Sequence, residues 1–148
     1  ELMTDAFGMG LDGVMRLRRG ALSGILNGID EGAWNPATDT NIPKPYKTLR
    51  GKSDNRDALR AELGLPDAAG PLCVVVSRLT EQKGLDLLLD ALPVLLARGG
   101  QLAVLGSGDK WLEDALRNAA RDANVTVRIG YDEGLSHRMI AGGDAILV

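Results

Sequence analysis

From Pro71 to Val148, short apolar runs and helical stretches take turns, and that alternation leaves few folds open. Leu72 to Ser77 is a β-branched run of strand length that reads as buried. A helix is predicted over residues 83–97, where Leu85, Leu88, Leu89, Leu92, Leu95 and Leu96 recur at helical spacing and Gly99-Gly100 ends the pattern. Further strands are predicted over residues 101–106, 125–130 and 144–148, with helices over residues 110–122 and near 134–141 between them. Strands alternating with helices imply right-handed crossovers and a parallel sheet. The expected fold is α/β, a doubly wound parallel sheet of the Rossmann type.

The earlier residues carry weaker signals. Residues 13–19 read as a short basic helix. Residues 22–27 read as a short strand closed by an Asn27-Gly28 turn. Residues 31–54, with Pro36, Pro43 and Pro45, read as a long irregular loop that Trp34 pins to the body. A helix is predicted over residues 53–64, capped by Ser53 or Asp54, with Leu59 and Leu63 on its apolar face and Gly64 as its stop. The hexapeptide GMGLDG at 8–13 matches G-x-G-x-x-G, but no apolar strand precedes Gly8 and no βαβ unit with the expected acid follows. It is not a dinucleotide fingerprint.

Composition excludes several classes of partner. A net charge of −3 gives no basic footprint for nucleic acid. Aromatics at 3% are too few for stacking along a polymer. No apolar run reaches the length of a membrane span, and no signal peptide is visible. Cys73 is the one cysteine, expected to be a small buried hydrophobe, and a lone thiol suits a reducing cytoplasm. The chain opens at Glu1 without methionine and stops at Val148 inside a strand-like run, so it is expected to be a piece of a longer protein.

In open α/β sheets, ligands bind beyond the carboxyl ends of the strands. Arg78 and Lys83 stand there, in the loop after the first strong strand. A lysine at a helix start opposes the helix dipole, at a cost of about 0.3–1 kcal/mol. Beside an arginine it points to a doubly charged anion such as a phosphate or pyrophosphate; the alternative is a solvated rim. Gly106, Ser107 and Gly108 close the next strand. They read either as a backbone cradle with free N–H groups or as a tight turn needing positive φ. Tyr131 follows the third strand on the same sheet edge. Asp132 and Glu133 have no second carboxylate at acid–base spacing and read as helix-capping residues. An Asx turn accounts for Asn27 and Asp30. His137, the one histidine, lacks partners for a zinc site and is expected to order a helix start or to bond backbone near the cleft.

The segment SRLTEQKGLDLLLDALP at 77–93, with LSGILNGIDEGAWNPATD at 22–39, resembles the bacterial glycogen synthases and the plant starch synthases. QLAVLGSGD at 101–109 and IGYDEGLSHRMIAGGDAILV at 129–148 extend the resemblance in the family's order. The resemblance implies a GT-B glycosyltransferase. Residues 1–20 would be the tail of its N-terminal domain, and residues 21–148 the front part of its C-terminal nucleotide-sugar-binding domain. It implies retaining transfer of glucose from ADP-glucose to the non-reducing end of an α-1,4-glucan, with no metal and no cofactor. Arg78 and Lys83 would hold the donor diphosphate and offset charge on the leaving group. Gly106, Ser107 and Gly108 would line the nucleotide site, Tyr131 would stack on adenine, and Asn27 would face the sugar or acceptor. The family's lysine loop and acidic motif match nothing between Glu1 and Val148, so the chain alone is expected to be inactive. Two alternatives stay open: a retaining transferase using another sugar nucleotide such as UDP-glucose, and a non-catalytic module binding a phosphate ligand or a protein.

Overall fold

The computed structural model describes residues 2–148; Glu1, whose place at the chain start entered the sequence reading, lies outside them. The chain divides into two compact units, Glu1–Asp30 and Glu31–Val148. In the first, a short helix α1 (Asp12–Leu17) is followed by a 3₁₀ turn at Arg19–Ala21. Asp12 and Arg16 pair across one helical turn at 2.5 Å, and Arg16 also donates to the Met3 carbonyl at 2.8 Å. The strand expected over residues 22–27 does not form: the stretch is exposed and without regular structure. Its apolar residues lack strict alternation, and among the described residues no strand pairs with it, so the local propensity has nothing to consolidate it.

The second unit begins with turns. Helix α2 (Lys52–Leu63) follows a 3₁₀ turn at Leu49–Gly51 and ends at Gly64, whose φ of 70° is the left-handed C-terminal stop. The expected cap is corrected. Gly51 holds the N-cap position without a side-chain bond, and Ser53 Oγ turns back to the Arg50 carbonyl. Then come β1 (Leu72–Val76), α3 (Leu85–Ala97), β2 (Gln101–Gly106), α4 (Lys110–Ala119), β3 (Val125–Ile129), α5 (Glu133–Gly142) and β4 (Ala145–Ile146). All strand pairs are parallel, in the order β3-β2-β1-β4.

Side-chain alternation sorts the core into two layers. Cys73, Val75, Leu102, Val104 and Val125 point to one face, against Leu85 and Leu92 of α3 and Leu112 and Leu116 of α4. Leu72, Val74, Ala103 and Leu105 point to the other, against Leu59 and Leu63 of α2 and Leu135 and Met139 of α5. Helices thus cover both faces, as the doubly wound reading requires. Each fully buried leucine contributes about 1.5–3 kcal/mol. Chain order runs outward from β1 to β3, and α5 then carries it back to β4 on β1's other side. The direction reverses beside β1, and a crevice opens at such a switch point.

Candidate functional site

Beyond the carboxyl end of β1, the chain leaves the sheet at Ser77 and crosses the end of β2. The Ser77 N–H donates to the Leu105 carbonyl at 3.2 Å, and Leu79 N–H to Ser107 at 3.0 Å. Asp109 N–H returns a bond to the Leu79 carbonyl at 2.7 Å. This close crossing explains the glycines. A Cβ at Gly106 would lie 1.9 Å from the Ser77 oxygen, and one at Gly108 would lie 2.3 Å from the Leu79 oxygen. Neither glycine has positive φ, so the tight-turn reading is corrected: approach of a neighbouring loop excludes a side chain. The cradle reading is corrected in part as well. The Gly108 N–H donates to Glu113 Oε1 at 3.1 Å and the Asp109 N–H is taken by Leu79, so neither is free for a ligand.

Two cavities flank this crossing. The first, of about 280 Å³, is lined by Val76, Ser77, Arg78, Leu105, Gly106, Ser107, Gly130, Tyr131 and Ser136. Arg78 is exposed and forms no ion pair among the described residues, which leaves its guanidinium fork open to an anion. Tyr131 is 84% exposed, and its hydroxyl donates to Glu133 at 3.3 Å. The Glu133 charge, then burial and that bond, push the phenol pKa up. The ring therefore stays neutral, with a face open to stacking. Beyond Tyr131 a neighbouring hollow of about 430 Å³ is lined by Glu62, Arg128, Gly130, Tyr131 and Asp132 among others.

The second cavity, about 90 Å³, lies at the switch point between β1 and β4, lined by Val75, Ser77, Lys83, Gly84, Leu85, Leu88, Leu147 and Val148. Lys83 is exposed and without an ion pair among the described residues. It closes the 3₁₀ turn Glu81–Lys83, and α3 starts only at Leu85, after Gly84 at φ 64°. The expected helix start at Lys83 is thus corrected by two residues, because Gly84 takes a left-handed conformation that no helix continues through. Arg78 and Lys83 line separate cavities that share Ser77 as a wall.

Arg78, Gly106, Ser107 and Tyr131 therefore come together in one cavity, with Lys83 next door and Gly108 in the supporting loop. Asn27 lies in the first unit, exposed, in irregular chain. Asp132 caps α5 as expected, accepting from Leu135 N–H at 2.8 Å. Of the two expectations for His137, the backbone bond is corrected: its Nδ1 bonds the Asp39 carboxylate at 2.6 Å, and Trp34 stacks on its ring. Ser136 and Gly130 were not singled out from sequence; their one signal was their place beside His137 and Tyr131. Cys73 is buried, and burial with the Asp144 charge pushes its thiol pKa up, which fits an inert core residue. Among the described residues, no group of three or more His, Cys, Asp or Glu could hold a metal ion, and no helix is long and apolar enough to cross a membrane.

The chain is 64% identical to a glycogen synthase of Jannaschia sp. (strain CCS1), covering 100% of this chain and 31% of that protein. It is 64% identical to a glycogen synthase of Paracoccus denitrificans (strain Pd 1222), covering 100% of this chain and 30% of that protein. The chain thus spans under a third of the length of these relatives. Among solved structures, the catalytic domain of starch synthase IV from Arabidopsis thaliana bound to ADP and acarbose matches with a TM-score of 0.86 at 35% identity, over 99% of this chain and 31% of that one. No protein-family profile matches the chain.

Proposed function

We propose that the chain, a member of the bacterial glycogen synthase family by its 64% identity to two of them over its whole length, supplies the sugar-nucleotide site of an enzyme transferring glucose from ADP-glucose to the non-reducing end of an α-1,4-glucan with retention. The observation that carries this reading is the cavity beyond β1 and β2, which Arg78, without an ion pair among the described residues, lines together with the Gly106-Ser107 strand end and an exposed Tyr131. In this reading Arg78 holds the diphosphate and Tyr131 stacks on the base. Lys83, across Ser77, adds a second cation on the side of β4. As the glycosidic bond breaks, charge grows on the departing diphosphate, and preorganised cations stabilise that state more than the ground state. Residues 1–20 are assigned to the tail of the N-terminal domain and residues 21–148 to the front of the nucleotide-binding domain, with Asn27 toward the sugar or acceptor. A cytoplasmic location goes with the lone buried thiol.

The test is a chimera in which this chain replaces the matching segment of the Paracoccus denitrificans protein. Glucose incorporation into glycogen is measured with ADP-glucose and with UDP-glucose. The expected result is incorporation that prefers ADP-glucose. A folded chimera that prefers UDP-glucose overturns the donor assignment, and one inactive with both donors favours a non-catalytic module.

A further inference from the structure

A buried, closely partnered pair of side chains in the second unit lines neither strand-end cavity. Asp39 and His137 are 98 positions apart in sequence and both buried, 8% and 4% exposed. Asp39 Oδ2 lies 2.6 Å from His137 Nδ1, and Oδ1 accepts from the Asn41 backbone at 2.8 Å and from the Asn41 side chain at 3.1 Å. A carboxylate accepting there requires the proton on Nδ1. Trp34 lies flat on the imidazole, ring centroids 3.8 Å apart and 5° from parallel. Burial pushes the Asp39 pKa up, but the bonds from Asn41 and His137 outweigh it and hold the carboxyl below its usual range. A buried carboxylate is costly unless so partnered.

The grip falls on the helix that walls the ligand cavity. Ser136, adjacent to His137, lines the cavity with Arg78, and the loop before α5 supplies Gly130 and Tyr131. The loop that carries Trp34, Asp39 and Asn41 also approaches the first turn of α5: a Cβ at Gly134 would lie 3.8 Å from Asn41 Oδ1. The loop in turn is anchored on α2, where the buried Asn55 accepts from Lys44 N–H at 3.1 Å and donates to its carbonyl at 2.8 Å. The loop is thus tied to α2 at Asn55 and to α5 at His137, the residue beside Ser136.

We propose that Trp34, Asp39 and His137 form a positioning clamp, through which the loop fixes the first turns of α5 and thereby the Ser136 and Tyr131 side of the cavity facing Arg78. His137 and Asp39 line neither strand-end cavity and act through Ser136 and the Tyr131 loop. Only the ligand arm of the test rests on the nucleotide reading given above.

The test uses the 148-residue chain and four forms of it: wild type, Asp39→Asn, His137→Leu and His137→Asn. The asparagine can offer an amide N–H near the position of Nδ1. Amide hydrogen exchange is followed residue by residue, and ADP is titrated as the probe. Exchange over residues 135–139 should accelerate at least about tenfold in Asp39→Asn and His137→Leu, the scale of one lost charge-assisted bond, while β1 and α4 keep their protection. His137→Asn should recover part of the loss. ADP affinity should fall in the same order. Unchanged exchange in α5, or equal acceleration in every element, overturns the clamp and leaves the trio as ordinary packing. A wild-type chain that does not bind ADP overturns the nucleotide reading, while the exchange measurement still decides the clamp.

Discussion

Gly106 has no room for a methyl group, because the Ser77 carbonyl occupies the space where a Cβ would sit. Gly106→Ala should therefore push the Ser77 crossing away from β2. The expected loss is about 1–3 kcal/mol or more by urea denaturation, as overpacking against backbone costs. A neutral Gly106→Ala would show that the crossing yields freely. Asp39 makes a second prediction through pH. Its folded pKa is held below the usual value by hydrogen bonds that outweigh burial. The contribution is therefore present above the unfolded value of about 3.9 and lost as pH falls through the lower folded value. Asp39→Asn should be less stable than wild type at pH 7. The gap should narrow below about pH 4, where wild type loses its advantage. A constant gap across denaturation curves from pH 7 to strong acid would contradict this sign. Arg78, Tyr131 and Asp132 were legible in sequence because each sits at the end of a recognisable element. The Asp39 to His137 bond was not, since nothing local links residues 98 positions apart.

At the scale of elements, legibility followed periodicity. Strands β1, β2 and β3 and the helices between them were readable because burial writes itself into the apolar pattern, and boundaries moved only by a few residues. The stripe on α3 packs on the first layer as read, with burial graded along it. Only Leu85 and Leu92 are fully buried, while Leu88, Leu89, Leu95 and Leu96 are half-buried against the first layer. The helix carries apolar residues on several sides, so periodicity alone could not rank them. Leu92→Ala should cost about 2–5 kcal/mol, and Leu87→Ala, at an exposed position, should stay within about 0.5 kcal/mol. Equal losses at the two positions, read from urea midpoints, would mean that α3 is seated differently on the sheet. The false strand over residues 22–27 failed for the complementary reason. A strand needs a partner ladder, and sequence propensity does not say whether one is available.

At the scale of the whole molecule, the sheet order places the two cations on opposite sides of one strand end. Arg78 faces the cavity over β1 and β2, and Lys83 the crevice where the chain turns back to β4. Sequence reasoning put both residues in the turn after β1, where they lie. That they straddle Ser77 follows from the return of β4 to the far side of β1, a topological fact that spacing does not carry. A diphosphate lying across Ser77 would meet the arginine from one side and the lysine from the other. In the active chimera, Arg78→Ala and Lys83→Ala should each lower kcat by about 10²–10³, the usual loss for a preorganised charge donor, with KM for ADP-glucose moving less. Because both would act on one leaving group, the double variant should lose less than the product of the single losses. Circular dichroism should show all three variants folded, since neither side chain has an ion pair among the described residues. Fully multiplicative losses would mean that the two cations act on separate groups, one in each cavity. Near-native kcat in either folded single variant would return that residue to the solvated rim and remove it from the chemistry.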